Sequence, residues 1–525
     1  MATRHPFAGR VANAALGVML ATAMATAGSA AEAADPAGNA TADPPAPRLR
    51  TTAQSRQLAR DELMAMRDAL MAGHPGAIDD ENPTYRDRLE RAYRVALDLV
   101  PRVHDDRDAL AIADFYAVSL RDGHLGHSND VRPDDPIRTA GWRVARAADG
   151  RVRVVGVLSP WTVALPPPGA ELLACDGRPT EALMREDVLP FSSLLGNPTI
   201  DDALLSQLSV PAMNDLAYRT CTFAMADGTR ASFGQRYEPF DDASWQAWMD
   251  LRPRHAPRVR VNGVDRLPDG TLWIRAGDFQ VDAAGAAKVQ ALLGELQAAK
   301  DVRRIVFDLR GNDGGDSRIG EVIFRAATGG LRYDTRQLDD LPRTRAFWRV
   351  SPTVIAAVAR RESTFSARLG AGSAPARDEA TRLAALQRAL AAHDRWLADG
   401  DGEPQLTPAE LARRGARLAA RDVPIAVLTD GLCASACLDM VDTVRRVPGA
   451  VHAGETTAFD SVYIDVGQLP LPSGNMLTLP LKVWRNRLRG NDAPWVPHVP
   501  FPVRDRPEAE VRAATLAAFA ATPRD

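Results

Sequence analysis

Lysine is almost missing from this chain. Of 64 basic residues only Lys288, Lys300 and Lys482 are lysines, and the remainder are arginines. Chemistry that needs a lysine base therefore has three places to go. Net charge is nearly absent too, with 67 acidic residues against the 64 basic ones, so there is no electrostatic footprint for nucleic acid. Long apolar runs are lacking beyond the N-terminus, and the run there, "VANAALGVMLATAMATA", falls short of a good membrane span. Cysteine is scarce, with Cys175, Cys221, Cys433 and Cys437 the full set in 525 residues. No matching Cys/His pair stands near any of them, which argues against a metal site.

What is present begins with an address. Arg4 and Arg10 supply a positive start, the apolar run follows, and small residues at "GSAAEAA" offer a cleavage zone. Residues 1–33 read as a secretory signal. The mature protein is expected to be periplasmic or secreted, where disulfides can persist. The Pro/Ala-rich stretch 34–50 reads as a disordered linker.

The length calls for several domains. Residues 51–130 form a helical domain, with Ala59, Leu63, Met66 and Leu70 on one helix face and Leu89, Ala92, Ala96 and Leu99 on another. From 131 to 262 short alternating segments such as "RVRVVGVL" and "TCTFAM" have strand grammar. Within them "PPGAELLACDGRPTEALM" is compatible with a PDZ-like module, and Cys175 could pair with Cys221. Strands then alternate with helices over 263–333 and again over 421–508, which predicts a parallel, buried sheet. Residues 334–420 read as a helical insertion that could lie over the sheet as a lid. Residues 509–525 end the chain as a helix and tail. The fold class is α/β.

Function in a parallel sheet sits at the carboxyl ends of its strands. Two turns fall there. "DLRGNDGG" (308–315) has glycines that admit positive φ and let backbone N–H groups face a developing anion. It lacks the pattern of a phosphate loop. "TDGLCASACLDM" (429–440) places Ser435 between Ala434 and Ala436 at a helix start. The bland reading is an N-cap; the functional one is a nucleophile given room by small neighbours. The α/β-hydrolase elbow is absent. Cys433 and Cys437 stand four apart, so a bond between them requires a non-helical Cys433, and two buried thiols fit the spacing equally.

These two turns resemble those of the tail-specific, or C-terminal processing, serine peptidases. "DGH" (122–124) and "AGETT" (453–457) occur in the family's order as well. The resemblance implies a ClpP/crotonase-like β-β-α superhelix core. It implies Ser435 as nucleophile, with the N–H groups of Ala436 and of the Gly314/Gly315 turn as oxyanion hole. It implies a peptide or protein substrate and no cofactor.

One departure redirects the reading. The commonest members use a lysine 25 residues after the serine, and here that position is Asp460. The tricorn-like arrangement, with a histidine base from the "DGH" segment, makes His124 the base and His127 its spare. Asp492 is the first choice for the acid that orients the base, ahead of Glu455 and Asp460. The loss of lysine also admits a second class of function, a catalytically silent relative that binds a peptide or an apolar ligand. An esterase using the same serine fits the sequence equally.

Overall fold

The computed structural model describes residues 50–521 apart from 129–136, 148, 193–197, 252–260, 281–282, 333–340, 406, 414–416, 419–421, 488 and 505. The expected signal at 1–33 and nearly all of the linker lie outside the described residues. No helix among the described residues is long and apolar enough to cross a membrane.

Three helices open the chain: α1 (Thr52–Gly73), α2 (Thr84–Leu99) and α3 (Asp106–Ser119). Thr51 caps α1 through a reciprocal box with Gln54, which satisfies N–H groups that the first turn leaves open. The predicted stripe Ala59, Leu63, Met66 and Leu70 is fully buried. A three-residue strand, β1 (Gly126–Ser128), follows. Next comes an antiparallel sheet of β2 (Trp142–Arg146), β3 (Val152–Val157), β4 (Glu171–Cys175), β5 (Thr220–Ala224) and β6 (Arg230–Gly234). Cys175 stands opposite Cys221 across β4 and β5 and forms a disulfide with it.

The mainly parallel sheet is built from β7 (Asn262–Arg266), β8 (Thr271–Ala276), β9 (Arg304–Asp308), β12 (Ile425–Thr429), β13 (Val451–Gly454) and β16 (Val499–Pro500), in that spatial order; the strands numbered between belong to a second sheet. All but the first pair are parallel. Helix α4 (Ala283–Ala298) crosses from β8 to β9, and α5 (Ser317–Thr328) leaves β9. Alternation along each strand explains why these segments read as unbroken apolar runs. Ile305, Phe307, Ile425 and Val427 enter the core under α4 and α5. Val306, Ala426 and Leu428 point to the opposite face, because successive side chains leave a strand on opposite sides. That second face is covered by the C-terminal helix α9 (Glu508–Ala521) through Val511 and Ala518.

Residues 334–420 correct an expectation. They contain helices α6 (Pro352–Leu369) and α7 (Ala374–Ala391), but strands β10 (Arg343–Arg349) and β11 (Trp396–Pro404) flank them. Strand β15 (Met476–Arg485) is the spine of this second, antiparallel sheet. It pairs with β14 (Tyr463–Pro470) on one edge and with β1 and then β10 on the other. Trp348, Val354 and Leu386 of the segment share one core with α1–α3. The segment is therefore a wall of the N-terminal core, not a lid over the parallel sheet. Strands β14 and β15 also belong to that wall rather than to the parallel core in which the sequence placed them.

Candidate active site

Two turns meet at the carboxyl end of β9 and β12. After β9, Gly311, Gly314 and Gly315 adopt φ values of +80°, +113° and +128°, where a side chain is strained. Space forbids one as well. A Cβ on Gly315 would lie 2.1 Å from the Phe279 carbonyl oxygen, and one on Gly314 would lie 2.9 Å from Ser435 Cβ. Asn312, fully buried, shapes the turn by donating to the Ala276 carbonyl (2.7 Å) and accepting the Gly314 N–H (2.9 Å).

After β12, the chain turns through Asp430 to Ala434 and enters α8 (Ala436–Arg445). Asp430 ties the two turns together, accepting N–H bonds from Gly311 (2.8 Å) and Leu432 (3.0 Å). Burial lifts its carboxyl to about 6. Ser435 stands at the N-cap with φ +52° and ψ −122°, a conformation that costs about 1–3 kcal/mol and persists only where the surroundings impose it. They do so here. The Ser435 carbonyl accepts from Leu438 and Asp439, and Cys437 N–H donates to Ala434. Cys433, outside the helix, forms a disulfide with Cys437, so Ser435 lies inside a covalent loop.

His124, 311 positions earlier in the chain, brings its Nε2 to 3.1 Å from Ser435 Oγ. The geometry suits proton transfer from the hydroxyl to the imidazole. Two further N–H groups near Ser435, those of Ala436 and Gly315, donate to no group among the described residues. The N–H of Gly314 is taken by Asn312, so the expected donor role of Gly314 gives way to a spatial one: its missing side chain is what lets the two turns approach.

Asp492 does not make the expected contact. Its Oδ2 accepts from Asn491 Nδ2 at 3.1 Å, while its Oδ1 is buried without a partner. His124 Nδ1 is likewise buried without a partner. With Nε2 accepting from Ser435, Nδ1 carries the proton, so a donor and an acceptor are left unsatisfied in the same site region. Burial, reinforced by the negative charge of Asp122, raises Asp492 to about 6.

The other candidates are occupied elsewhere. Asp460 is held by Arg487 (3.1 Å) and Arg489. Glu455 Oε1 accepts the N–H groups of Val503 and Arg504. Lys482 lies between Asp399 (2.6 Å) and Asp465 (2.7 Å), over the face of Trp348. His127 is a buried ion-pair partner rather than a spare base, bonded to Asp114 (2.8 Å) and Glu62 (3.2 Å). Burial opposes its charge, but the two carboxylates outweigh burial and lift it to about 9. Among the described residues no group of three or more His, Cys, Asp or Glu side chains is placed to hold a metal ion.

Sequence reasoning left three contributors unassigned. Asn312 and Asp430 lie inside the quoted turns, where a buried side chain on a backbone N–H is a common turn device. His74, which contacts Asp122, lies in no motif.

No curated protein sequence matches the chain. Among solved structures it is similar to mature CPAF, with 14% identity and a TM-score of 0.52, over 89% of this chain and 96% of that one. Mature CPAF complexed with lactacystin gives 14%, 0.51, 89% and 97%. At this identity the likeness speaks for the fold, an α/β peptidase architecture with a helical N-terminal region. The photosystem II D1 C-terminal processing protease covers 89% of this chain and 96% of its own, but at 11% identity and a TM-score of 0.32 it is too loose to argue from. Residues 271–491, from β8 through both turns to the residue before Asp492, match the model of peptidase family S41. Over that segment the chain is similar to peptidase family S41.

Proposed function

We propose that the protein is an exported serine peptidase that cleaves peptides or protein C-terminal tails through an acyl-enzyme on Ser435. The observation that carries the reading is the 3.1 Å approach of His124 Nε2 to Ser435 Oγ, at a serine held in a strained turn at the start of a helix. Ser435 Oγ bonds the scissile carbonyl carbon while its proton passes to His124 Nε2. The carbonyl oxygen becomes an oxyanion beside the open N–H groups of Ala436 and Gly315, at the positive end of α8. The C–N bond then breaks, and His124 returns the proton to the departing amine. Water, deprotonated by the same imidazole, bonds the acyl carbon; the Ser435 Oγ–C bond breaks and His124 returns that proton to Oγ. Export rests on the N-terminal signal pattern and suits the two disulfides.

Labelling with a fluorophosphonate probe tests the reading. Wild type is expected to label at Ser435, and Ser435→Ala to lose both labelling and peptidase activity with little change in Tm. His124→Ala should cost about 10³-fold or more in kcat/KM, since triad members act as a unit. The unpartnered Nδ1 of His124 favours a second reading, a silent relative that binds a peptide or apolar ligand. A folded wild type that neither labels nor cleaves decides for it.

A further inference from the structure

Behind His124 lies a fully buried carboxylate that the proposed reaction does not yet use. Asp122 Oδ1 accepts the backbone N–H of His124 (3.0 Å) and the hydroxyl of Ser461 (2.9 Å). Its Oδ2 lies 2.9 Å from His74 Nε2, and both side chains are wholly excluded from solvent. His74 Nδ1 accepts the Gly76 N–H at 3.0 Å, which leaves the proton of a neutral imidazole on Nε2, directed at Asp122. Burial drives His74 below its ordinary value, so the ring is a neutral donor. Burial also pushes the Asp122 carboxyl up, yet the His74 bond and the nearby imidazoles outweigh that and hold it low. Three donors on one carboxylate have this effect.

We infer that Asp122, locked by His74 and Ser461, is the permanent negative charge that fixes His124 and stabilises the imidazolium formed when His124 takes the Ser435 proton. The inference rests on the reading of Ser435 and His124 as nucleophile and base. A mere anchor for the turn would not need an ionised group, because burying a carboxylate is costly unless its charge is used or matched. No arginine or lysine hydrogen-bonds Asp122 among the described residues. Its bonded neighbours are all neutral donors, so the charge remains available to the base two residues on.

The groups around it are consistent with that role. Tyr85 stacks on His74 at 4.5 Å with its hydroxyl 3.0 Å from Nε2, and Tyr463 packs edge-on against both rings. Arg349 donates to the His74 carbonyl rather than to the carboxylate. Asp79 is neutralised by Arg485 (2.7 Å). Arg88 and Arg121 act on Asp492 by charge alone. Asp492 feels Asp122 as a like charge and is raised, whereas Asp122 is held low.

The test is the pH dependence of Ser435 labelling by a fluorophosphonate in Asp122→Asn, across about pH 5–9. Asparagine preserves an acceptor for His124 and Ser461 but removes the charge. Labelling is expected to slow about tenfold or more, a change equivalent to one pKa unit at the base. The acidic limb should move to lower pH, because the imidazolium has lost its counter-charge. His74→Gln, which keeps a donor at the Nε2 position, should retain the wild-type limb. A folded Asp122→Asn protein with wild-type rate and limb overturns the inference. Should that variant not fold, Ser461→Ala removes one neutral donor and leaves the carboxylate ionised, so the limb is expected at or above its wild-type pH; a limb that falls there overturns the inference too. NMR titration of the His124 imidazole in Ser435→Ala, with and without Asp122→Asn, separates the two readings. A wild type that does not label sinks the nucleophile assignment, while a His124 titration that ignores Asp122 sinks this one.

Discussion

Gly314 and Ser435 are packed so closely that a methyl group on the glycine would sit 2.9 Å from Ser435 Cβ and 3.1 Å from the Ala434 carbonyl oxygen. The two active turns are thus a matched pair. Gly314→Ala must displace Ser435 or the glycine turn, and alanine at φ +113° adds about 1–3 kcal/mol of strain. Labelling of Ser435 should fall by two orders of magnitude or more, with a modest loss of Tm. Gly315→Ala, which meets backbone at 2.1 Å, should lose more stability than Gly314→Ala. Labelling at wild-type rate in Gly314→Ala would mean that the turns do not depend on one another.

His127 carries a stability signature that can be read against pH. Its folded value of about 9 exceeds the unfolded value of about 6.5. The stability it contributes is fully present below that unfolded value and is lost as pH rises through about 9. Wild type should exceed His127→Gln by about 3 kcal/mol in mildly acidic solution, and the gap should close toward the upper value. Thermal melts over that range check it. Peptidase activity near neutral pH should be nearly unchanged in the folded variant.

Lys482 predicts the opposite pattern to a base. Lys482→Ala leaves Asp399 and Asp465 facing each other without their shared cation. A loss of about 2–3 kcal/mol is expected, with kcat preserved within a few-fold once the protein is folded. Loss of kcat as deep as in Ser435→Ala, at intact Tm, would return the lysine to the mechanism.

For Asp492, stability and rate should move apart. Its value is raised to about 6, so ionising it in the folded protein costs stability as pH rises from the unfolded carboxylate value through that point. Asp492→Asn avoids the cost. Its stability relative to wild type should be higher on the alkaline side than on the acidic side, by about 1 kcal/mol after allowing for solvent screening at a part-exposed group. Its kcat should nonetheless fall if Asp492 engages His124 Nδ1 during turnover. A Tm difference that is flat with pH would refute the raised value.

Legibility in the sequence followed burial geometry. "VRRIVFDLR" and "PIAVLTD" announced themselves because Val306 and Ala426 face one core while Phe307 and Val427 face another, leaving almost no polar position to break the run. Both turns followed at once, since each begins where such a run ends. Strands β10 and β11 were hidden for the converse reason. "RTRAFWR" carries three arginines, of which Arg349 is buried on the His74 and Met71 carbonyls, a contact no local pattern announces, and "WLADGDGEP" has the composition of a turn. Their place is set by β15, whose pairing with β10 spans well over a hundred residues. The same distance effect concealed the support for the base. Nothing near His74 signals Asp122, 48 positions away, whereas Ser435 is marked by its own neighbours.

The order of parts along the chain sets when the site can exist. His124 leaves the ribosome 311 residues before Ser435, an interval of roughly 15–60 s at ordinary elongation rates. Even then β1, which follows His124, has no edge to join until Met476, Leu477 and Thr478 are made. During all that time His124 has neither Ser435 beside it nor the strand that β1 pairs with. An unfinished chain cannot assemble the His124–Ser435 pair, so the pair forms only after synthesis has passed β15.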